Sequence, residues 1–299
     1  MRRPPVPRRA LALMGVFTAA VVGLQAVHEQ RGGPLVGVAG NFLYIQSPEA
    51  MKRLSLSYEA LLSDLYWIRS VQHYGDTKLS TDPNKQYDLL YPLLDLTTSL
   101  DPRFDAAYQY GSIFLAEPAP DGPGRPDLAI ALLEKGLRVQ PGKWEFAHAI
   151  GFVHYWWLQD SEEAAAWFWR AAGFPDAPVW MAPLAATTLA QGGRRELSRA
   201  LWQEIARTAG DGWFRNEALR RLRQLDAMEE LERLQAVADA FRQRLGAAPE
   251  DWDALRRAGY LRALPVDPSG TPYLLRDGRP MLDPGSPLNP LPTEPLRLQ

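Results

Sequence analysis

The sequence predicts an all-α protein whose helices follow one another in antiparallel pairs. Apolar residues recur at spacings of three and four from about residue 54 to residue 245, which is the period of amphipathic helices. Glycine and proline interrupt this period repeatedly, and the segments between the interruptions have the length of single helices. Paired segments of this kind are typical of helical-repeat arrays. We therefore expect a helical-repeat solenoid over residues 51–247.

The first long segment of this region shows the period most clearly. Six side chains lie on one face at spacings of three and four: Leu54, Tyr58, Leu61, Leu65, Ile68 and Gln72. At the other end of the region, residues 213–246 have room for two further helices.

The composition supplies a core and excludes several classes of protein. Apolar residues make up 46% of the 299 positions, enough for a sizeable buried core. The formal net charge is −2, so the chain lacks the basic excess that contact with nucleic-acid phosphates requires. It has no cysteine, which excludes disulfides, thiolate metal sites and a cysteine nucleophile. We expect no nucleic-acid partner.

The chain begins with a basic segment and continues with an uncharged one. Residues 1–9 contain four arginines, and residues 10–27 contain no charge. As a helix, the uncharged segment spans roughly 27 Å, close to the ~30 Å hydrocarbon core of a bilayer. We expect a signal-anchor that crosses the inner membrane once, with residues 1–9 in the cytoplasm and the body of the chain in the periplasm or outside. A cleaved signal peptide is the alternative, and residues 28–50 are a glycine-containing linker in either case.

Two stretches within the repeat region share a spaced pattern of small and aromatic residues. The first stretch contains Ala107, Tyr110, Gly111, Phe114, Ala129, Leu133, Gly136 and Pro141, and the second contains Ala147, Ile150, Gly151, His154, Ala164, Phe168, Ala171 and Pro175. The pattern resembles the tetratricopeptide repeat, with a small residue in the first helix, alanine and an aromatic residue in the second, and proline after it. The resemblance covers about half of the chain. Gly111 and Gly151 are 40 residues apart, against the usual 34, because a loop is inserted near residues 117–126.

The resemblance implies a concave groove lined by side chains of the first helices of each pair. Such a groove binds an extended peptide or a helix of a protein partner. The corresponding positions are Asp105, Tyr108, Ser112, Glu145, His148, Phe152 and Tyr155. Placement in the core is the alternative for Phe152 and Tyr155.

Residues 248–299 predict a short helix followed by a proline-rich, mostly irregular tail. Asp277 and Gly278 favour a tight turn between two short strands. Residues 258–273, AGYLRALPVDPSGTPY, are similar to the C-terminal signature of the major pseudopilins of type II secretion. This resemblance implies the shape of the loop, and we do not carry over the calcium that the family holds nearby. We expect the tail to cover the apolar end of the repeats, with docking of another envelope protein as the alternative.

The sequence shows no linear signature of catalysis, a cofactor or a metal. The histidines His148 and His154 are six residues apart, so they do not share a helix face as a ligand pair would. We expect a non-catalytic, membrane-anchored scaffold or adaptor in a bacterial cell envelope, linked by its tail resemblance to a secretion or pilus-type assembly, with no cofactor and no small-molecule substrate. The alternative is a peptidoglycan-active enzyme on a helical frame. A deep cleft holding a carboxylate with a perturbed pKa would distinguish that enzyme.

Overall fold

The computed structural model describes residues 18, 19, 23, 47–210 and 212–292. The chain divides into two units, residues 1–46 and 47–299, and the fold described below is that of the second unit. Most of the expected membrane span, the basic segment before it and the linker up to residue 46 lie outside the described residues. Among the residues that are described, no helix combines the length and the apolar character needed to cross a membrane.

The regular secondary structure of the described part of the second unit is helical, apart from one short hairpin and an isolated bridge between Val266 and Pro272. The elements in chain order are α1 (Pro48–Leu54), α2 (Glu59–Leu79), α3 (Leu90–Leu100), α4 (Asp105–Ala116), α5 (Pro126–Val139), α6 (Trp144–Phe152, continued by a π-helical turn at Val153–Trp157), α7 (Ser161–Ala172), α8 (Met181–Gln191), α9 (Arg195–Thr208), α10 (Gly212–Leu245), α11 (Trp252–Arg257), β1 (Leu274–Arg276) and β2 (Arg279–Met281).

Each helix packs mainly on its neighbours in the chain. Helices α2 and α3, α4 and α5, α6 and α7, and α8 and α9 form closely packed pairs, and each pair packs on the next. Helix α3 also contacts α5, and α4 also contacts α6, so like helices of successive pairs meet. The all-α prediction is confirmed, and this order of packing is compatible with an α-solenoid.

Residues without a side chain allow neighbouring helices to approach closely. A Cβ atom added at Gly151 in α6 would lie 2.5 Å from the Phe168 ring in α7, and one added at Gly111 in α4 would lie 2.8 Å from Leu94 in α3. Both distances are too short for a real Cβ contact, so the neighbouring side chain or its helix would have to move. Because Phe168 is itself buried, it has no free space to move into. Gly151 therefore lets α6 and α7 pack closely, and Gly111 does the same for α4 and α3.

Helix α10 corrects the expectation of two separate helices in residues 213–246. It is continuous for 34 residues because its interior contains neither glycine nor proline. Ion pairs fix it against α9: Arg195 contacts Glu232 at 2.6 Å, and Arg199 contacts Asp226 at 2.5 Å and Glu229 at 2.7 Å. Three acidic residues of α10 therefore pair with the preceding helix, whereas Glu217, Glu230 and Asp239 pair with arginines of α10 itself.

The tail packs against α10 and forms a second hydrophobic cluster with it. The cluster joins Leu234 and Phe241 of α10 to Trp252, Tyr273 and Leu282. Polar contacts hold the last described residues on the same helix: Gln224 Nε2 donates to the carbonyl oxygens of Leu288 (2.7 Å) and Pro290 (2.8 Å). Gln224 is fully buried by these contacts. The tail thus covers an apolar face of the last long helix.

The short elements of the tail follow their turn residues. Gly259, with a φ of 80°, ends α11, and the amide of Tyr260 donates to the carbonyl oxygen of Leu255 (2.9 Å) as in a Schellman cap. Asp277 and Gly278 both have positive φ, and they join β1 to the antiparallel β2. The predicted hairpin is confirmed.

Asp267 organises the loop between α11 and the hairpin. Its Oδ1 accepts hydrogen bonds from the Ser269 amide (2.8 Å), the Ser269 hydroxyl (2.5 Å) and the Thr271 amide (3.0 Å), and its Oδ2 accepts one from the Ser286 hydroxyl (2.5 Å). Burial acts to raise the pKa of Asp267, but these hydrogen bonds outweigh burial and hold its pKa below the ordinary 3.8. The carboxylate therefore connects the loop to the segment that runs along α10.

We expect Gly151→Ala to destabilise the fold by about 1–3 kcal/mol, because the added methyl group meets Phe168 and forces the two helices apart. The matched control is Gly75→Ala in α2, where the added atom meets nothing within 4 Å. Alanine there should stabilise the helix by roughly 0.5–1 kcal/mol. Urea unfolding followed by circular dichroism measures both. Equal effects of the two changes would contradict the close-approach argument.

We expect Asp267→Asn to lower the free energy of unfolding at pH 7 by about 1–3 kcal/mol, because it removes charge-assisted hydrogen bonds. The folded pKa lies below the unfolded one, so the contribution of the carboxylate is complete above the ordinary value of 3.8. It is lost as the pH falls through the lower folded pKa. Unfolding curves between pH 7 and pH 2 should therefore be less pH-dependent in the variant. Asp176→Asn, at an exposed carboxylate, is the control and should leave the curves unchanged.

Candidate protein-binding groove

Four of the seven predicted groove residues line one open depression of about 400 Å³. They are Ser112 of α4 and Glu145, His148 and Phe152 of α6. The other lining residues are Gln109, Ile113, Trp144, Ala149, Val153, Trp157 and Trp180. The depression therefore lies on the first helices of two successive pairs, and Trp180, at the start of the next pair, closes one side.

Aromatic rings in mutual contact build the wall of the depression. The rings of Trp144 and Trp180 meet edge to face with centroids 6.0 Å apart, and His148 meets Trp180 in the same way at 5.8 Å. His148 also lies 5.4 Å from the ring of Phe168, which belongs to the core. Edge-to-face aromatic pairs of this kind are mutually stabilising. The packed core thus fixes the position of the wall.

The rim of the depression exposes large apolar side chains. Ile113, Phe152 and Trp180 are all accessible to solvent. Trp156, also exposed, stacks on Phe152 with parallel rings 6.2 Å apart and extends the apolar surface beyond the depression. Contiguous exposed apolar surface with a polar surround is a mark of an interaction site.

A π-helical turn continues α6 at the edge of the depression. The amide of Leu158 donates to the carbonyl oxygen of Val153 at 3.1 Å, which is the spacing of five residues that defines this turn. Trp157 lies in the turn and lines the depression, and its indole Nε1 is buried without a hydrogen-bond partner. Tyr155 lies in the same turn.

His148 is held in its neutral form. Burial lowers its pKa below the ordinary 6.5, because the charged imidazolium would lose water and gain no compensating partner among the surrounding rings. The ring therefore contributes an uncharged aromatic surface at neutral pH. Glu145, partly exposed, and Gln109 supply polar groups in the lining.

Three predicted groove residues lie outside the depression, and each has a specific reason. Tyr108 is fully buried, because its ring fills the space left by Gly136 and packs 5.1 Å from Phe146; burial raises its pKa to about 12. Asp105 is held by Lys143 at 2.6 Å. Tyr155 packs on the core and its hydroxyl bonds to Gln191 (3.3 Å), because the wider π turn changes the direction of the residues in it.

The sequence argument missed the tryptophans of the wall. Trp144 lies one helical turn before His148, so the 3.6-residue period could have placed it on the same face. Trp180 precedes α8 and reaches the site from a loop, which no helical period describes. The part of the chain that the structure describes contains no cluster of three histidine or acidic residues suited to a metal ion.

The chain matches no family model, no curated protein and no solved structure. The resemblance to tetratricopeptide repeats therefore stays a prediction.

We expect His148→Phe to remove part of the loss of stability on acidification. Below pH 6.5 His148 is protonated in the unfolded chain before it is protonated in the folded chain, so the free energy of unfolding decreases as the pH is lowered. Above pH 6.5 the group makes no such contribution. Denaturant unfolding at pH 7.5 and pH 5 measures the difference. Burial also lowers the pKa of His73, so part of the slope should remain in the variant and fall further in the double variant with His73→Phe. An unchanged slope in both variants would contradict the assignment.

Proposed function

We propose that this chain is a non-catalytic scaffold of a bacterial cell envelope that binds a protein partner in the groove between α4 and α6. The observation that carries the proposal is the exposed aromatic depression on the first helices of two successive pairs. In tetratricopeptide repeats, which the sequence pattern resembles, the first helices of each pair line the concave surface that binds a partner.

The depression favours an apolar anchor side chain of a peptide or helix over a free small molecule. A volume of about 400 Å³ is at the lower end of small-molecule sites, which are usually enclosed on most sides. Here Ile113, Phe152 and Trp180 stand at the open rim, where a larger partner can cover them. Burying such side chains is worth roughly 1.5–3 kcal/mol each. The surface thus suits an elongated partner with large apolar residues.

The polar residues of the lining favour a partner that carries a positive charge. Glu145 lies in the depression beside the aromatic wall, and His148 is neutral, so the lining carries negative but no positive charge. A basic residue next to the apolar anchor of the partner would be attracted to Glu145.

The proposed location follows from residues 1–27. We infer a single-pass anchor in the inner membrane at residues 10–27, with the helical unit in the periplasm or outside, from four arginines followed by an uncharged segment. The loop around Asp267 keeps the sequence signature shared with the major pseudopilins, and a secretion or pilus-type assembly is accordingly the proposed setting.

An envelope enzyme would require a cleft with a perturbed carboxylate, and one described acidic residue has a raised pKa. This residue is Glu117, whose pKa is raised by burial and then by Asp121. It bonds to Lys78 at 2.6 Å and to the hydroxyl of Tyr74, and it lies outside the depression. These contacts connect α2 to the end of α4, which gives Glu117 a structural role.

The experiment places a photo-crosslinking amino acid at Phe152 of the full chain in its own membranes. Irradiation should link Phe152 to a protein partner, and Ile113→Glu should reduce that capture roughly tenfold by putting a charge on the apolar rim. Leu197→Glu on α9 is the matched control, because Leu197 is 45% exposed and Ile113 is 44% exposed. The control should leave the capture unchanged.

Two results would contradict the proposal. One is equal capture in the Ile113→Glu and Leu197→Glu variants, which would separate the partner from the depression. The other is recovery of a converted sugar or peptide with no protein neighbour, which would favour the enzyme. Extraction of the full chain from these membranes by alkaline buffer would contradict the anchor alone.

A further inference from the structure

Helix α2 exposes an apolar stripe that no described part of the chain covers. Leu61, Leu65 and Ile68 are 56%, 49% and 50% exposed, although they are the most regular apolar series of their segment. Tyr58 just before the helix and Leu79 at its end extend the stripe and are also exposed. The face that the sequence period selects is therefore not the face that packs on the repeats.

The opposite face of α2 carries the packing. Ser63 and Ser70 are its fully buried residues, and the Ser63 hydroxyl donates to the carbonyl oxygen of Thr97 in α3 (2.9 Å). Tyr74 on this side stacks on Phe114 of α4 with centroids 4.3 Å apart. Because the serines are small, α3 lies close to this face, and the leucine stripe points away from the repeats. One face of α2 therefore packs on the repeats, and the opposite face, called the open face below, is exposed to solvent.

The open face has the spacing of a two-stranded coiled coil. Its positions follow the alternating steps of four and three that define the a and d sites of a heptad: Leu61, Leu65, Ile68, Gln72, Gly75 and Leu79. Ser63 and Ser70 then fall at f positions, diametrically opposite the seam, as the packing on α3 requires. The 21 residues of α2 make three heptads, roughly 31 Å of helix.

One pair of charges beside the stripe is self-complementary. In the same heptad frame Asp64 occupies a g position and Arg69 the e position five residues later. In a parallel pair of helices, a g residue of one chain faces the following e residue of the other, and opposite charges there set partner and orientation. One copy supplies both members, so two identical helices form the pair twice by symmetry.

We propose that α2 forms a parallel two-stranded coiled coil with α2 of a second copy of this chain. The stripe supplies the apolar seam, Asp64 and Arg69 supply the flanking pairs, and the polar Gln72 fixes the register at one a position. Gly75, at a d position, leaves a gap in the seam, since an added Cβ there meets nothing within 4 Å. This self-association is separate from the groove between α4 and α6 and goes beyond the proposed function.

Single-cysteine variants test the arrangement directly, because the natural chain contains no cysteine. The full chain with Leu65→Cys or Ile68→Cys, in membranes treated with a mild oxidant, should form a covalent dimer, because equivalent a or d residues face each other in a parallel pair. Leu197→Cys on α9 is the control of similar exposure and should stay monomeric. Failure of both seam variants to crosslink would overturn the proposal.

Sedimentation of the full chain in detergent tests the energetics. Leu65→Glu should weaken self-association at least tenfold, while Leu197→Glu leaves it unchanged. Gly75→Leu should strengthen it about tenfold by filling the gap in the seam, whereas Gly75→Ala, which adds helix propensity but little apolar surface, should not.

The alternative occupants of the stripe give different results. If a segment of the same chain or a different protein covers it, the wild-type chain sediments as one copy, and neither Leu65→Glu nor Gly75→Leu changes its mass. If the chain forms a dimer and its association constant is unchanged by Leu65→Glu and by Gly75→Leu, the dimer contact lies elsewhere in the chain. Either result would overturn the proposal.

Discussion

The close approach of neighbouring helices at positions without a side chain is the constraint on which the rest of the fold depends. At Gly151 the ring of Phe168 occupies the volume that any side chain would need, and at Gly111 the side chain of Leu94 does the same. Helix pairs that are this thin bury small residues on their inner faces, such as Ala147 and Ala164. The large aromatic residues of α6 therefore cannot all enter the core. Some of them must lie on the outside of the pair, and they become the wall and rim of the groove.

This division of space explains how the groove is both rigid and exposed. The His148 ring contacts Phe168 of the core and Trp180 of the rim, so the packing of the core fixes the position of the rim. Its neutrality follows from the same placement, because a ring between other rings has little water around it. Phe152 and Trp156, one turn further, stack on each other outside the core. The surface is preorganised by contacts that would exist without any partner.

The sequence predicts the parts of this molecule that depend on local rules. The helical period and the breakers place the helices, the positive φ of Asp277 and Gly278 makes the hairpin, and the spacing of Gly111 and Gly151 marks the close crossings. Four of seven groove positions follow from the repeat pattern alone.

The errors arise where a tertiary contact decides the outcome. Tyr108 enters the core because Gly136, 28 positions later, leaves room for its ring. Tyr155 leaves the groove because of a π turn that no period announces. In α2 the apolar period marks a face that is exposed, because a helical wheel identifies a face without saying what packs against it. The small buried serines Ser63 and Ser70 mark the packed side.

The two ends of the helical unit differ in whether the apolar face of the end helix is covered by the chain itself. Each helix pair is satisfied by its neighbours, so the first and last helices each have one apolar face without a neighbour in the array. At the C-terminal end the chain covers that face itself, through Tyr273 and Leu282 packed on α10 and through the backbone carbonyls that receive Gln224. At the N-terminal end α2 presents leucines to solvent, at a spacing that fits a second helix of the same kind. A cover made from the chain is permanent, whereas one made from a second copy depends on concentration. A second copy on α2, as proposed above, would therefore make the cover of the N-terminal end depend on protein concentration.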